Sequence, residues 1–224
     1  MAKFSSLTDV SKDVPVAAYV PLGGHAKRGL DILVAASALV ILSPLMLFIM
    51  MLMKITDPGP IFFGHKRVGF DGKHFHCFKF RSMATNSAEL LQKLLQSDPV
   101  AKAEWEASQK LRNDPRVTRL GRILRETSLD ELPQLINVLR GDMSLVGPRP
   151  IVDDEIPRYS HRISAYKRVR PGVTGMWQVN GRSDTSYGSR VKFDSYYVRN
   201  WSILLDLRIL FKTIGVVLKR DGSC

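Results

Sequence analysis

Apolar and polar positions alternate with different periods along the chain. From Ile32 to Met53 the sequence ILVAASALVILSPLMLFIMMLM is almost uninterrupted in its apolar character. That is about 22 residues, against the roughly 20 that cross a bilayer as a helix. On either side of Asp71-Gly72, IFFGHKRVGF and KHFHCFKFRSM carry aromatic and β-branched residues, the pattern of a β-hairpin. Residues 87–112 have a helical period, many charges and a break at Asp98-Pro99, which predicts two surface helices. More helix is expected within 116–140. Residues 201–219 read as an apolar helix with Arg208, Lys212 and Lys219 interspersed, which suits a membrane face or a core position. Residues 1–24 are mixed and end in Pro-Leu-Gly-Gly, predicting a flexible arm. The fold class expected is mainly α with a small β-hairpin (α+β).

Two features complicate the apolar run. Both flanks are basic, with Lys12, Lys27 and Arg28 before it and Lys54, Lys66, Arg67 and Lys73 after it. Positive charge favours the cytoplasmic side, here for both ends. Ser43-Pro44 also lies near the middle. Pro44 has no N–H and its ring crowds the Val40 carbonyl, so a kink is expected, with the Ser43 hydroxyl available to a freed carbonyl. A spanning helix with a tolerated proline and a re-entrant helix both fit these residues. Asp31, at the start of the run, is expected to pair with Lys27 or Arg28.

Lys+Arg total 33 against Asp+Glu 21, a net charge of +12, which points to polyanionic partners. No nucleic-acid module accompanies that charge. The two cysteines, Cys77 and Cys224, offer neither a disulfide framework nor a metal spacing. His74 and His76 would share one strand face, with no third ligand near in sequence, and read as structural.

The most informative stretch is Thr127-Ser128-Leu129-Asp130-Glu131-Leu132-Pro133. Adjacent carboxylates raise one another's pKa and can divide the work of nucleophile and base, or hold a divalent cation together. Arg116, Arg119, Arg122, Arg125, Arg140 and Arg149 crowd around them in sequence, as suits phosphate chemistry. Ser128-x-x-Glu131 equally fits a capping box that opens a helix. The two readings are compatible, since a helix start also favours phosphate. Arg149, held between Pro148 and Pro150, is a guanidinium on a stiffened backbone. The stretch Pro171–Arg182 mixes turn glycines, Trp177 and an arginine.

Taken together, several motifs make the chain resemble the monotopic bacterial sugar transferases, the polyprenyl-phosphate phosphoglycosyl transferases. They are Lys27-Arg28-x-x-Asp31, Ser43-Pro44, Asp57 to Phe63, Arg67-Val68-Gly69, Lys79 to Met83, Thr118-Arg119-x-Gly121-Arg122, Ser128 to Gln134, Gly141 to Pro150 and Pro171 to Arg182. The resemblance implies a flexible arm over 1–26, a re-entrant membrane helix over 27–56 broken at Ser43 and Pro44, and a cytoplasmic catalytic domain over 57–224 with amphipathic surface helices. It implies Asp130 as nucleophile and Glu131 beside it, with Mg2+ held by Asp130 and Glu131. Lys79, Arg125, Arg149 and Arg182 are implied in phosphate and nucleotide binding. The implied partners are a UDP-sugar, polyprenyl (undecaprenyl) phosphate and one leaflet of the bacterial inner membrane at its cytoplasmic face, with no nucleic acid and room for a homo-oligomer. Galactose and glucose are the sugars it suggests. A membrane-anchored, basic lipid-binding scaffold is the rival class, and it has no need of Asp130.

Overall fold

The computed structural model describes residues 20–108, 111–180 and 186–219. The arm expected before residue 20, Arg182 and Cys224 therefore lie outside the described residues. The apolar run forms most of helix α1, Gly24–Thr56, 33 residues long. It continues as α-helix through Pro44, and the Ser43 hydroxyl donates to the Val40 carbonyl at 2.8 Å. That carbonyl is the one the missing Pro44 N–H leaves without its helical partner.

One stripe of α1 packs on the rest of the chain and the opposite stripe does not. Lys27, Asp31, Ala35, Met46, Ile49 and Met53 are buried, spaced three or four residues apart over most of the stripe. Ala35 joins a cluster with Leu135, Val138, Met143, Leu145, Tyr197 and Ile209. Met46, Ile49 and Met53 join a second with Phe80 and Leu124. Both halves of α1 thus lie against the same body. Leu33, Val40, Ile41, Phe48, Met51 and Ile55 stay exposed on the outer stripe.

Asp31 corrects its expectation, because it pairs with neither Lys27 nor Arg28. It accepts from the Ser144 hydroxyl and the Leu145 N–H, each at 3.0 Å. Lys27 instead reaches Asp206 at 2.6 Å. Arg28 donates to the carbonyls of Val138 and Leu139 at the end of α5 (Gln134–Arg140), where a helix dipole favours a cation. The reason is reach across the fold: buried acceptors and donors on distant elements offer drier, better-shaped partners than a neighbour on the same helix face.

Strands β1 (Phe62–Val68) and β2 (His74–Phe80) pair antiparallel, from Phe62 opposite Phe80 to Val68 opposite His74. The expected hairpin is present, with a connection longer than a two-residue turn: Phe70–Gly72 form a short 3-10 turn, with Asp71 at φ 57°. His74 and His76 share the exposed face of β2. His74 contacts Asp153 at 2.8 Å.

Helices α2 (Ser87–Ser97) and α3 (Pro99–Ser108) meet at Asp98, whose carboxylate accepts from the N–H groups of Val100 and Ala101 and so caps α3. Helix α4 (Arg119–Glu126) precedes α5. Strands β3 (Ser144–Val146) and β4 (Gly172–Thr174) form a small parallel pair that the chain's pattern did not announce. Between them lie the short helices α6 (Ile156–Tyr159) and α7 (Ile163–Lys167). Helix α8 (Tyr187–Arg199) and α9 (Ile203–Lys219) close the fold. The expected apolar C-terminal helix is α9, and one side of it takes the core position: Asp206 and Ile209 are buried, while Leu204, Phe211 and Ile214 are exposed.

Asp206 is nearly fully buried and also accepts from the Tyr197 hydroxyl at 2.7 Å and the Trp201 indole at 3.0 Å. Removing one partner of a buried ion pair strands the other charge. Lys27→Met is therefore expected to lower unfolding stability by about 3 to 5 kcal/mol. The double variant Lys27→Met/Asp206→Leu should recover part of that loss, as read by denaturant unfolding of both proteins.

Candidate active site

Three elements meet around Asp130. Helix α4 begins at Thr118, whose hydroxyl accepts from the Gly121 N–H at 2.9 Å. Gly121 lies so close to the Ser82 carbonyl that a Cβ there would stand 2.0 Å from the oxygen, so only glycine allows α4 this near the end of β2. The approach brings the Arg125 guanidinium to the Ser82 hydroxyl at 2.8 Å.

After α4 the chain reverses at Ser128, which adopts φ 57°, ψ 16° in the left-handed region. Residues Leu129–Glu131 make one 3-10 turn and Pro133 leads into α5. The capping box expected of Ser128 and Glu131 is not formed, because the Ser128 side chain caps nothing. A capping residue has extended backbone, and Ser128 is used for the reversal instead. The reversal turns Asp130 inward, to 7% exposure, and leaves Glu131 partly open.

Strand β2 supplies the counter-charge. The Lys79 ammonium lies 2.6 Å from Glu131 and 3.4 Å from Asp130. Burial pushes the Asp130 carboxyl above its ordinary range; Lys79 opposes that shift, Glu131 adds to it and Arg125 again opposes it. Burial pushes Lys79 down, but Glu131 and then Asp130 outweigh it, so its pKa lies above the usual lysine value. The site therefore holds a desolvated carboxylate against a firmly charged ammonium.

Asn137 sets the distance between them. Fully buried on α5, its amide donates to the His76 carbonyl at 2.8 Å and accepts from the Phe78 N–H at 2.9 Å. That pins α5, which directly follows the dyad, to the strand that carries Lys79. The chain's pattern gave one hint of it: an amide, Asn137, set between the apolar pairs Leu135-Ile136 and Val138-Leu139.

Arg149 stands elsewhere, exposed, with its guanidinium 5.6 Å from the Trp177 ring centre. Arg190 packs on the same ring at 4.6 Å. Among the described residues no hydrogen bond joins Arg149 to Asp130 or Glu131. Its charge still shares their field: Cys77, pushed up to about 11 mainly by burial, is acted on by Lys79, Glu131, Arg67 and Arg149 together. The structure thus brings Lys79, Asp130, Glu131 and Arg125 together and sets Arg149 to one side. Ser43 and Pro44 lie on the exposed stripe of α1.

The family model for the bacterial sugar transferases matches residues 23–220. The chain belongs to the bacterial sugar transferase family. It is 53% identical to the exopolysaccharide production protein ExoY of Sinorhizobium fredii, over 91% of this chain and 90% of that protein. It is 57% identical to the undecaprenyl-phosphate galactose phosphotransferase of Salmonella typhimurium, over 88% of this chain but 41% of that protein. It is 42% identical to the UDP-glucose:undecaprenyl-phosphate glucose-1-phosphate transferase of Escherichia coli, over 84% of this chain and 39% of that protein. The chain thus spans about two-fifths of the length of the last two relatives.

A serine held in the left-handed region carries backbone strain of about 1 to 2 kcal/mol. Ser128→Gly is expected to match or exceed the parent protein in thermal stability, whereas Ser128→Val should lower it, as checked by calorimetry on the pair.

Proposed function

We propose that this sugar transferase moves a hexose 1-phosphate from a UDP-sugar to undecaprenyl phosphate, through a covalent phospho-sugar on Asp130. The observation that carries the reading is the buried Asp130 carboxylate placed against Lys79 and Glu131. In the first step an Asp130 oxygen attacks the sugar-linked phosphorus, a bond forms to that phosphorus, and the bond to the bridging oxygen breaks with UMP leaving. In the second an oxygen of the lipid phosphate attacks the same phosphorus, and Asp130 leaves as carboxylate, yielding the undecaprenyl diphospho-sugar. Splitting the transfer means that the two anionic substrates need not occupy the site together. Lys79 keeps Asp130 ionised and orients it. Arg125, tied to Ser82, faces the same carboxylate and would meet phosphate charge, as Arg149 would from the side. Arg182, outside the described residues, is proposed to bind phosphate as well.

Asp130 and Glu131 are adjacent hard-oxygen donors, the kind of pair that holds Mg2+ together with substrate phosphates. Bound there, Mg2+ would neutralise pyrophosphate charge as UMP departs. Galactose is the first sugar to test, since it appears in the names of relatives at 57% and 56% identity, with glucose next.

We place the protein on the cytoplasmic leaflet of the inner membrane, with α1 entering that leaflet alone. Support comes from both halves of α1 packing on one body while the outer stripe stays apolar and exposed. A spanning helix would carry one end away from the domain. The dyad would then meet the lipid phosphate at the membrane surface.

UMP release from a panel of UDP-sugars, with undecaprenyl phosphate and Mg2+, tests the chemistry. Asp130→Asn is expected to cost at least about a thousandfold in rate. A variant as fast as the parent would overturn Asp130 as the nucleophile, and a parent that releases no UMP from any UDP-sugar would leave the scaffold reading standing. Chelation should stop release and added Mg2+ restore it.

The ionised Asp130 is disfavoured by folding, so its charge costs stability at pH above the ordinary aspartate range and nothing well below it. Asp130→Asn should accordingly melt higher at neutral pH, with the gain vanishing in acid. The acid limb of the parent's rate should lie above the usual carboxylate range. Lys79→Met should move that limb further up, because Lys79 holds the Asp130 pKa down; a downward move would contradict the assignment.

A further inference from the structure

Away from Lys79 and the dyad, a cavity of about 250 Å³ opens where the segment at Arg162 meets α8. It is lined by Arg162, Lys192, Ser195, Tyr196, Arg199 and Asn200. Three cations line it and no carboxylate does. Arg162 is half-buried and Lys192 and Arg199 are exposed, and among the described residues none of the three forms an ion pair, whereas Lys27, Arg67, Arg81 and Arg116 do. Like charges gathered in one concavity repel one another unless an anion fills it. Arg199 lies in the last turn of α8, where the helix dipole favours a cation. That does not account for Lys192 in mid-helix or for Arg162 from another element.

The surroundings say what kind of anion fits. The volume falls below the roughly 300–1,000 Å³ of drug-sized sites and suits a headgroup-sized group. Arg199 and Asn200 lead directly into Trp201 and α9, whose Ile203, Leu204, Leu207 and Phe211 are exposed. Tyr196 lines the cavity and is 52% exposed, an aromatic of the type enriched at membrane interfaces. A phosphate in the cavity would have apolar chain within reach of α9. We propose that the cavity of Arg162, Lys192 and Arg199 binds the phosphate of an anionic lipid headgroup, at a site separate from the dyad. The assignment rests on the membrane placement above and not on the transfer chemistry.

The test measures binding of the full chain to phosphatidylcholine vesicles with and without phosphatidylglycerol, and of inorganic phosphate in solution. The variants are Arg162→Gln/Lys192→Gln/Arg199→Gln, the milder Lys192→Gln, and a control of equal charge, Lys93→Gln/Lys102→Gln/Arg112→Gln, on α2, α3 and the segment after them. The phosphatidylglycerol increment should fall roughly a hundredfold in the cavity triple, about fivefold for each cation. It should persist in the control, and Lys192→Gln should lose about one such step. UMP release should be unchanged. Equal loss in both triples would mean a general surface field and overturn the site. An increment untouched by the cavity triple would overturn the lipid source. In that case, inorganic phosphate bound by the parent and not by the triple would assign the cavity to a soluble phosphate, and phosphate bound by neither, or by both alike, would overturn it altogether. Failure of the parent to bind neutral vesicles would count against the membrane placement, and the phosphate titration would then decide the cavity alone.

Discussion

The tie that Asn137 makes between α5 and β2 is the constraint on which the rest of the site depends. Its amide is wholly buried and uses both ends on backbone groups of one strand, with a further contact from its nitrogen to Asp142 at 3.1 Å. A buried amide that is fully engaged specifies one register, because any slip leaves several polar groups dry and unpaired. The backbone carbonyl of the same residue accepts from the N–H groups of Gly141, Asp142 and Met143, closing α5. One side chain and one carbonyl therefore fix where α5 begins its exit, where β2 lies beside it, and hence how far Lys79 stands from the acidic pair.

The long helix is docked on the same logic. Its apolar stripe supplies area, but area alone is indifferent to rotation and sliding. Lys27, Arg28 and Asp31 remove that freedom by reaching three different elements: α9, the end of α5, and β3. Asp31 and Arg28 both engage the stretch from Val138 to Leu145, so the helix and the site share a frame. Held this way, α1 fixes the dyad relative to its own exposed apolar stripe, the arrangement that the proposed transfer onto a lipid phosphate requires.

Much of this was legible in the residues and some was not, for physical reasons. The apolar helix, the hairpin about Asp71-Gly72, the break at Asp98-Pro99 and the acidic pair are local signals, and each is present. The role of Ser43 was readable because its partner, Val40, is three residues away. The partner of Asp31 lies 113 residues off, and nothing in its neighbourhood could name Ser144. Strands β3 and β4 have three residues each, too few for a period to show. The capping box failed because the same four residues encode two backbones. Which one forms is decided by Gly121 against Ser82 and by α5 against β2, contacts that lie outside the motif.

That failure also explains why the site can work. A properly capped helix start would have satisfied Ser128 and Glu131 locally and left Asp130 pointing along a solvated first turn. The fold instead accepts a left-handed serine and a desolvated carboxylate, two unfavourable features in consecutive turns. Neither would persist unless stronger contacts nearby imposed it, and those contacts are the close approach of α4 at Gly121 and the Asn137 tie. A buried carboxyl group whose ionised form is disfavoured by desolvation and favoured by Lys79 and Arg125 is a poorer resident and a better nucleophile than one at the surface. The stability given up at Ser128 and Asp130 is thus the local expression of the reactivity proposed for the pair.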